Sequence, residues 1–514
     1  MDSRGSSRLD RAGSVREARA ANRAGHAGAR ETSLVRELAN QAFSRASGAP
    51  LREGNSVRLL KDATENYAAW LDAIRSAQRT IHFEMYILHE DAQGTLFADA
   101  LIARAREGVR VRLLYDWLGG LGKTSRAFWG RLRDAGVDVR CYNPPRFDRP
   151  FGWISRDHRK MIVVDRTVAF VTGLCIGQAW VGDADRGVAP WRDTGLELRG
   201  PAVDDCEDAF AEAWATAGDA LPADPEGEAV PAPSPGDISL RVVATVPNSA
   251  GLFRADQLVA AVAQHSLWLT DAYFAGTAAY VEALRAAAKD GVDVRLLVPG
   301  SSDLPVLRLA SRAGYRPLLE AGVRVFEWNG PMLHAKTAVA DRRWARVGST
   351  NLNIASWLGN RELDVIVENE GFARQMEAMF LDDLRNATEV VLDRKNRVRA
   401  PGTPGAGPRR AVHSGGSGGR AVAGAVRIGN AVTAAITNRR VLEPVEAHIA
   451  LLAGFALLAL AIAAVRFPRG FSYPFAVLAG WLAVSLLWRG LALRRVHAAR
   501  PGGRRGAPPS GDPP

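Results

Sequence analysis

The chain has 514 residues, 47% hydrophobic and 24% charged. That globular composition excludes a wholly disordered chain and allows roughly two to four domains. Its 66 Lys+Arg against 55 Asp+Glu give a net charge of +11, which favours anionic partners such as nucleic acid, anionic lipid or phosphorylated substrates without choosing among them. Cys141, Cys175 and Cys206 are too few and too widely spaced for a disulfide scaffold or a CxxC zinc site, and they fit a reducing compartment.

Residues 1–50 read as a basic, largely disordered arm with a short amphipathic stretch at 34–43, and they lack the apolar run of a secretory signal. From residue 51 to 217 strand-like and helix-like segments alternate. Val57–Leu60 reads as a strand, Tyr67–Ala77 as a helix, Thr80–Leu88 as a strand, Leu96–Arg106 as a helix and Val109–Tyr115 as a strand. This alternation predicts α/β units around a buried sheet. Residues 218–237 are rich in Pro, Ala, Asp and Glu, a linker composition. The pattern then restarts over 238–396, with strands at Ser266–Phe274 and Val292–Val298 around a helix at Ala279–Ala288.

The restart is a repeat. GVRVRLL (108–114) returns as GVDVRLL (291–297), AGVDVRCYN (135–143) as AGVRVFEWN (321–329), and HRKMIVVD (158–165) as HAKTAVAD (334–341). Three pairs in one order imply two duplicated α/β/α domains packed about a pseudo-two-fold axis. Residues 397–440, with PGTPGAGP and SGGSGG, read as a flexible linker. Beyond it, 441–496 contain two charge-free runs, 449–465 and 471–488, joined by RFPRG. Each run is near the ~20 residues that span a bilayer, so the segment predicts a transmembrane helical hairpin. Residues 497–514 form a basic tail that reads as disordered. Arginines outside both ends of the hairpin place the catalytic region on the cytoplasmic side of the cell's inner membrane and draw it to anionic headgroups.

The chemistry sits in the repeated His-x-Lys-x4-Asp. This chain uses Arg almost everywhere, and only six of its basic residues are Lys, Lys160 and Lys336 among them. A compact ammonium can be demanded at such positions where a planar fork would not serve. On a strand, His and Lys two apart face one side, so His158 with Lys160 and His334 with Lys336 point together. Asp165 and Asp341 complete the catalytic motif but have the opposite parity, which predicts a structural role. Small-residue turns follow, Thr172-Gly173-Leu174-Cys175 and Gly348-Ser349-Thr350-Asn351, able to offer donors to an anion. Two imidazoles and two ammonium groups suit phosphodiester chemistry: one His attacks phosphorus, the other moves the proton, and the lysines stabilise the phosphoryl oxygens. The motif needs no metal or other cofactor. Alone, one His-x-Lys would be read as structural; its duplication at equal spacing argues otherwise. Tyr86 with Tyr273, and Glu84 with Asp271, occupy matched places and read as core groups or as walls of the site. GGLGK (119–123) lacks the spacing of a phosphate loop and reads as a turn.

These residues resemble the phospholipase D superfamily, and within it the bacterial cardiolipin synthases, over roughly residues 55–390. GNSVRLLKD, AIRSAQRTIHFEMYIL, DHRKMIVVD, WRDTGLELRGPAV, MLHAKTAVAD and GSTNLNIASWLGNRELDVIV carry the likeness. The resemblance implies His158 as nucleophile and His334 as acid/base, with the reverse assignment open. It implies Lys160, Lys336, Ser349 and Asn351 as phosphate-binding groups, and Asp193 and Glu362, downstream of each motif, as carboxylates orienting its His. Cys175 stands where the family commonly has Asn, and the hairpin is C-terminal where many synthases carry it at the N-terminus. The implied activity is a membrane-bound phosphatidyltransferase joining two phosphatidylglycerols into cardiolipin plus glycerol through a phosphohistidine. A hydrolytic phospholipase D, a nuclease of the superfamily or a non-catalytic membrane scaffold stand as alternatives. The implied partners are anionic phospholipid, phosphatidylglycerol first, and the membrane, with no nucleic acid.

Overall fold

The computed structural model describes residues 37–145, 155–222, 235–304, 311–312, 314–392 and 398–399, with scattered positions between 458 and 484. Residues 143–156 and 426–514 form a compact unit apart from the rest of the chain. In that unit Asn143 Nδ2 donates to the carbonyl of Ser155. Its described positions after 458 are largely helical. Among the described residues no helix is long and apolar enough to cross a membrane. Most of the expected hairpin, the 397–440 linker apart from its neighbours at 398–399, and the 497–514 tail lie outside the described residues.

The large unit contains both repeats. The end of the N-terminal arm departs from the disordered expectation: residues 37–47 are helical (α1), and Phe43 packs against the second repeat's core. The first repeat runs β1 (Arg52–Lys61), α2 (Asp62–Ser76), β2 (Thr80–Met85), α3 (Ala92–Arg106), β3 (Arg110–Asp116), α4 (Arg126–Asp134), β4 (Asp138–Tyr142), β5 (Lys160–Val164), β6 (Val168–Thr172), β7 (Thr194–Arg199) and α5 (Ala202–Thr216). The second runs β8 (Ile238–Thr245), α6 (Gly251–Val262), β9 (Ser266–Thr270), α7 (Ala278–Lys289), β10 (Asp293–Pro299), β11 (Arg324–Trp328), β12 (Thr337–Ala340), β13 (Trp344–Gly348), β14 (Glu362–Glu368) and α8 (Glu370–Leu384), followed by β15 (Ala387–Leu392) and β16 (Val398–Arg399). Local chemistry sets several boundaries. Asp91 accepts from Gln93 N and Gly94 N, which starts α3 ahead of its apolar stripe, and Ser125, Thr277 and Asn369 cap α4, α7 and α8 in the same way.

The strands make one sheet in the order β16-β15-β11-β10-β9-β12-β13-β14-β8-β1-β7-β6-β5-β2-β3-β4. Reading outward from the middle, both repeats give the same sequence of strands. They meet through β1 and β8, antiparallel, with Arg52 opposite Leu240 and Asn55 opposite Ile238. That palindrome is the pseudo-two-fold relation the sequence repeat predicts. Hydrophobic packing follows it. One cluster lies on the face carrying α5 and α8 and draws Phe210, Trp214, Phe372 and Phe380 from both repeats into one core. The opposite face has a separate core for each repeat, around Trp70 and Phe97 in the first and Leu284 and Trp357 in the second.

The motif aspartates have the structural role their parity predicts. Asp165–Arg166 and Asp341–Arg342 have positive φ, 52° and 55° in the first pair and 50° and 55° in the second. They are the central residues of the β5–β6 and β12–β13 hairpin turns, the conformation of a type I′ turn, in which Asp is tolerated. From that corner Asp165 accepts hydrogen bonds from Gln78 N, Arg79 N and Thr80 N. Asp341 accepts them from Gln264 N, His265 N and Ser266 N. Each motif aspartate thus ties its hairpin to the start of the neighbouring strand, β2 or β9, rather than reaching the site.

Candidate active site

Each His-x-Lys segment lies at the start of a hairpin strand, where the chain passes alongside the other repeat. His158 N donates to Arg361 O at 2.9 Å, and His334 N donates to Arg192 O at 2.7 Å. Short parallel bridges, Asp157 with Arg361 and Leu333 with Arg192, fix this register. The residue after each of these arginines is a carboxylate, so the backbone crossing delivers it to the imidazole. His158 Nδ1 lies 3.0 and 2.8 Å from the two carboxylate oxygens of Glu362. His334 Nδ1 lies 2.7 Å from Asp193 Oδ2. Here the structure corrects the sequence reading: each carboxylate pairs with the His of the other repeat, not with the one upstream of it. A local pattern cannot distinguish the two, because the pairing depends on how the repeats dock.

All four groups are buried. Burial alone would push both carboxyls up. For Asp193 the interaction with His334, the charge of Lys336 and the hydrogen bond from His334 outweigh it, and for Glu362 the interaction with His158, its hydrogen bond and the charge of Lys160 do; both carboxyls are held below the usual range. Burial is also the main force that lowers both imidazoles, more than the carboxylates raise them. His334 falls to about 4, with Lys336 adding to the shift. Its Nζ is 3.0 Å from His334 Nδ1. Neutral imidazole beside an ionised carboxylate fixes the tautomer: Nδ1–H donates to the carboxylate, and Nε2 carries the lone pair.

Lys160 Nζ donates to His158 O and Lys336 Nζ to His334 O, so each ammonium folds back beside its own imidazole. Each also lies close enough to the other repeat's imidazole to lower it. Burial brings Lys336 down to about 8. Aromatic rings wall the site. Tyr86 meets His158 edge-on at 4.8 Å between centroids, with Lys160 Nζ 5.1 Å from its ring. Tyr273 meets His334 at 5.7 Å, with Lys336 Nζ at 5.9 Å. Trp180 and Trp191 lie 5.6 and 5.8 Å from His334. Sequence reasoning singled out the tyrosines and missed the tryptophans, although Trp191 stands two residues before Asp193.

The two turns differ. Ser349 Oγ donates to Glu362 Oε2 at 2.6 Å and accepts from Leu363 N at 2.9 Å, which engages its hydroxyl with the carboxylate. At the matching position Gly173 lies so close to Asp193 that an added Cβ would be 2.3 Å from Oδ1. Asn351 is buried, and its Oδ1 has no hydrogen-bond partner among the described residues. Its counterpart Cys175 is buried with its thiol raised by burial, although Lys160 and Lys336 both act on it in the opposite sense. Glu84 and Asp271 are not equivalent, which corrects their sequence alignment. Met85 pairs with Lys160, and Thr270 pairs with Thr337, the residue after Lys336. Asp271 therefore matches Met85, and one extra residue precedes Tyr273. Asp271 accepts from Leu352 N and Tyr273 N and so links the second turn to the tyrosine wall. Burial raises its carboxyl to about 7. Glu84 lies on the other face, 3.9 Å from Arg159.

A doubled α/β body with paired His–carboxylate and lysine groups defines the phospholipase D-like class. A sequence model of the family described as "Cardiolipin synthase, PLD-like domain" matches residues 70–179 and 259–384. Cardiolipin synthase A of Pseudomonas aeruginosa is 35% identical over 375 residues, 70% of this chain and 73% of that protein. Cardiolipin synthase 2 of Bacillus anthracis is 34% identical over 351 residues, 66% of this chain and 67% of that protein. Among solved structures, phosphatidylserine synthase of Haemophilus influenzae shares the fold, with a TM-score of 0.55 and 15% identity over 68% of this chain and 91% of that one. The chain belongs to the phospholipase D-like cardiolipin synthase family.

Proposed function

We propose that this protein is a cardiolipin synthase that transfers a phosphatidyl group from one phosphatidylglycerol to another and releases glycerol. The observation that carries the reading, with family membership, is the pair of neutral imidazoles whose Nδ1 atoms are each held by an ionised carboxylate. His158 Nε2 attacks phosphorus, and the bond to the glycerol oxygen breaks. His334 donates the proton that this oxygen takes. It then removes the proton of the incoming lipid's hydroxyl, whose oxygen displaces His158 from phosphorus. His334 needs a proton for the first step although burial holds it low; the anionic phosphodiester supplies the charge that raises it. Lys160, Lys336 and Asn351 stabilise the phosphoryl oxygens, and Ser349 holds Glu362 in place.

The protein acts at the inner membrane with its catalytic region on the cytoplasmic side. The charge-free runs at 449–465 and 471–488 and the flanking arginines support this. Several of their described apolar positions are exposed, Leu458, Ile462, Val477 and Val484 among them. The test is lipid mass spectrometry on the full chain in phosphatidylglycerol vesicles, with His158→Ala and His334→Ala alongside. Cardiolipin and free glycerol are expected, and each variant loses at least ~10³-fold in turnover. Phosphatidic acid without cardiolipin would replace the synthase with a hydrolase.

A further inference from the structure

We propose that Glu212 and Asp383 are positioning residues, each locking one His–carboxylate pair of the site through the arginine that precedes the carboxylate. The proposal rests on the phosphatidyltransferase reading and extends it to residues that touch neither imidazole.

Glu212 lies on α5 of the first repeat. Arg361 Nη1 donates to its Oε1 at 2.5 Å, and Arg361 Nε lies 3.2 Å from the Tyr142 hydroxyl. Arg159, the residue after His158, reaches the same carboxylate at 3.3 Å. Arg159 Nε also donates to Glu362 O at 3.2 Å, while Arg361 O accepts from His158 N. The dipeptides His158-Arg159 and Arg361-Glu362 are therefore stitched together by one backbone bond and one arginine side chain, and both arginine heads reach Glu212, that of Arg159 also donating to the carbonyls of Ala209 and Thr245. A shift of this carboxylate moves both sides of the His158–Glu362 pair.

Asp383, on α8 of the second repeat, holds the other arginine, and it is buried where Glu212 is exposed. Arg192 forks onto it, with Nε to Oδ1 at 2.8 Å and Nη2 to Oδ2 at 2.9 Å. Arg192 Nη1 lies 3.1 Å from Asp62 Oδ1, which also accepts from Asp193 N at 2.9 Å. Arg192 O holds His334 N. The second pair has a single arginine, because Ala335 stands where the first has Arg159. Planar guanidinium groups suit this task, since a fork fixes direction as well as distance.

The anchors act on different imidazoles, so they separate by chemical step. In phosphatidylglycerol vesicles carrying phosphatidyl-p-nitrophenol, the nitrophenolate leaves without a proton donor, and its burst reports attack by His158 alone. Glu212→Gln is expected to slow that burst about tenfold with KM within about twofold. The acid limb of its rate profile moves to lower pH, because a loosened Glu362 no longer raises His158. Asp383→Asn is expected to leave the burst within about twofold while slowing cardiolipin formation about tenfold. Asp62→Asn, at a half-buried site, tests the same limb if the Asp383 variant does not fold. The same pattern with the variants exchanged supports both positioning roles and makes His334 the nucleophile. Equal losses on both substrates, following thermal stability with an unmoved acid limb, would overturn the proposal. A wild-type protein that releases no nitrophenolate would overturn the transferase reading itself.

Discussion

The two repeats agree in the candidate groups they bring to the site and differ in what surrounds them. Each supplies one imidazole, one ammonium and one carboxylate, and each carboxylate crosses to the other repeat. Around this symmetric centre the first repeat uses Gly173 and Cys175 where the second uses Ser349 and Asn351. Beneath the second turn lies an ionic cluster that has no counterpart among the described residues of the first. Buried Arg346 pairs with Asp256 at 3.0 Å, and Asp364 accepts from Thr350. Burial raises Asp256 to about 6 and Asp364 to about 7. In the first repeat Phe170 pairs with Ile162 just as Arg346 pairs with Ala338, so an apolar side chain holds the place of the arginine. Duplication preserved the groups that chemistry requires in pairs and left their supports free to diverge.

The largest break in this comparison comes from making the first turn like the second. Gly173→Ser puts a Cβ into the space of Asp193 Oδ1, and the carboxylate must leave His334. Turnover is expected to fall about 100-fold, while Ser349→Gly, which removes only a support of Glu362, costs about tenfold; steady-state kinetics in vesicles compares the two. A loss at Gly173 no greater than that at Ser349 would remove the contrast.

Next in size are the hairpin corners, where the repeats should behave alike. Asp165→Ala and Asp341→Ala each lose three backbone hydrogen bonds and force Ala into positive φ. Each should cost about 2 kcal/mol by denaturant unfolding, with little change in the activity of the folded fraction. An activity loss without a stability loss would return these residues to the chemistry.

Acid sharpens the comparison further. His334 titrates near 4 in the folded protein and near 6.5 when unfolded. Between those values the unfolded chain binds a proton that the native chain does not, so the stability from neutral His334 is lost as pH falls from about 6.5 towards 4. His334→Gln should flatten the stability–pH curve in that window, and an unchanged slope would contradict the burial of a neutral ring. The smallest expected effect is that of Cys175→Asn. An amide there mirrors Asn351, and KM should fall by about threefold or less, roughly half the net strength of a hydrogen bond; a rise in KM would mean that the thiol fills space the phosphate does not use.

Much of the molecule was legible in the chain itself. Strand and helix periodicity and the repeated His-x-Lys-x4-Asp are local patterns, and they located the α/β units, their duplication and the pairing of His with Lys. The parity of Asp165 and Asp341 separated them from the site because a strand alternates its faces. What local pattern could not settle was every contact that depends on docking. The exchange of Glu362 and Asp193 between repeats, the packing of Trp180 and Trp191 on His334 and the convergence of Arg159 and Arg361 on Glu212 join residues far apart in sequence. The one-residue slip between Glu84 and Asp271 was hidden for a related reason: only strand pairing records register, and one residue exchanges the two faces of a sheet. The sequence by itself determined which groups are candidates for the chemistry, because that chemistry admits few residue types. Only the tertiary structure decided which carboxylate serves which imidazole, because that follows from the antiparallel joining of β1 to β8 and the crossing of the two repeats.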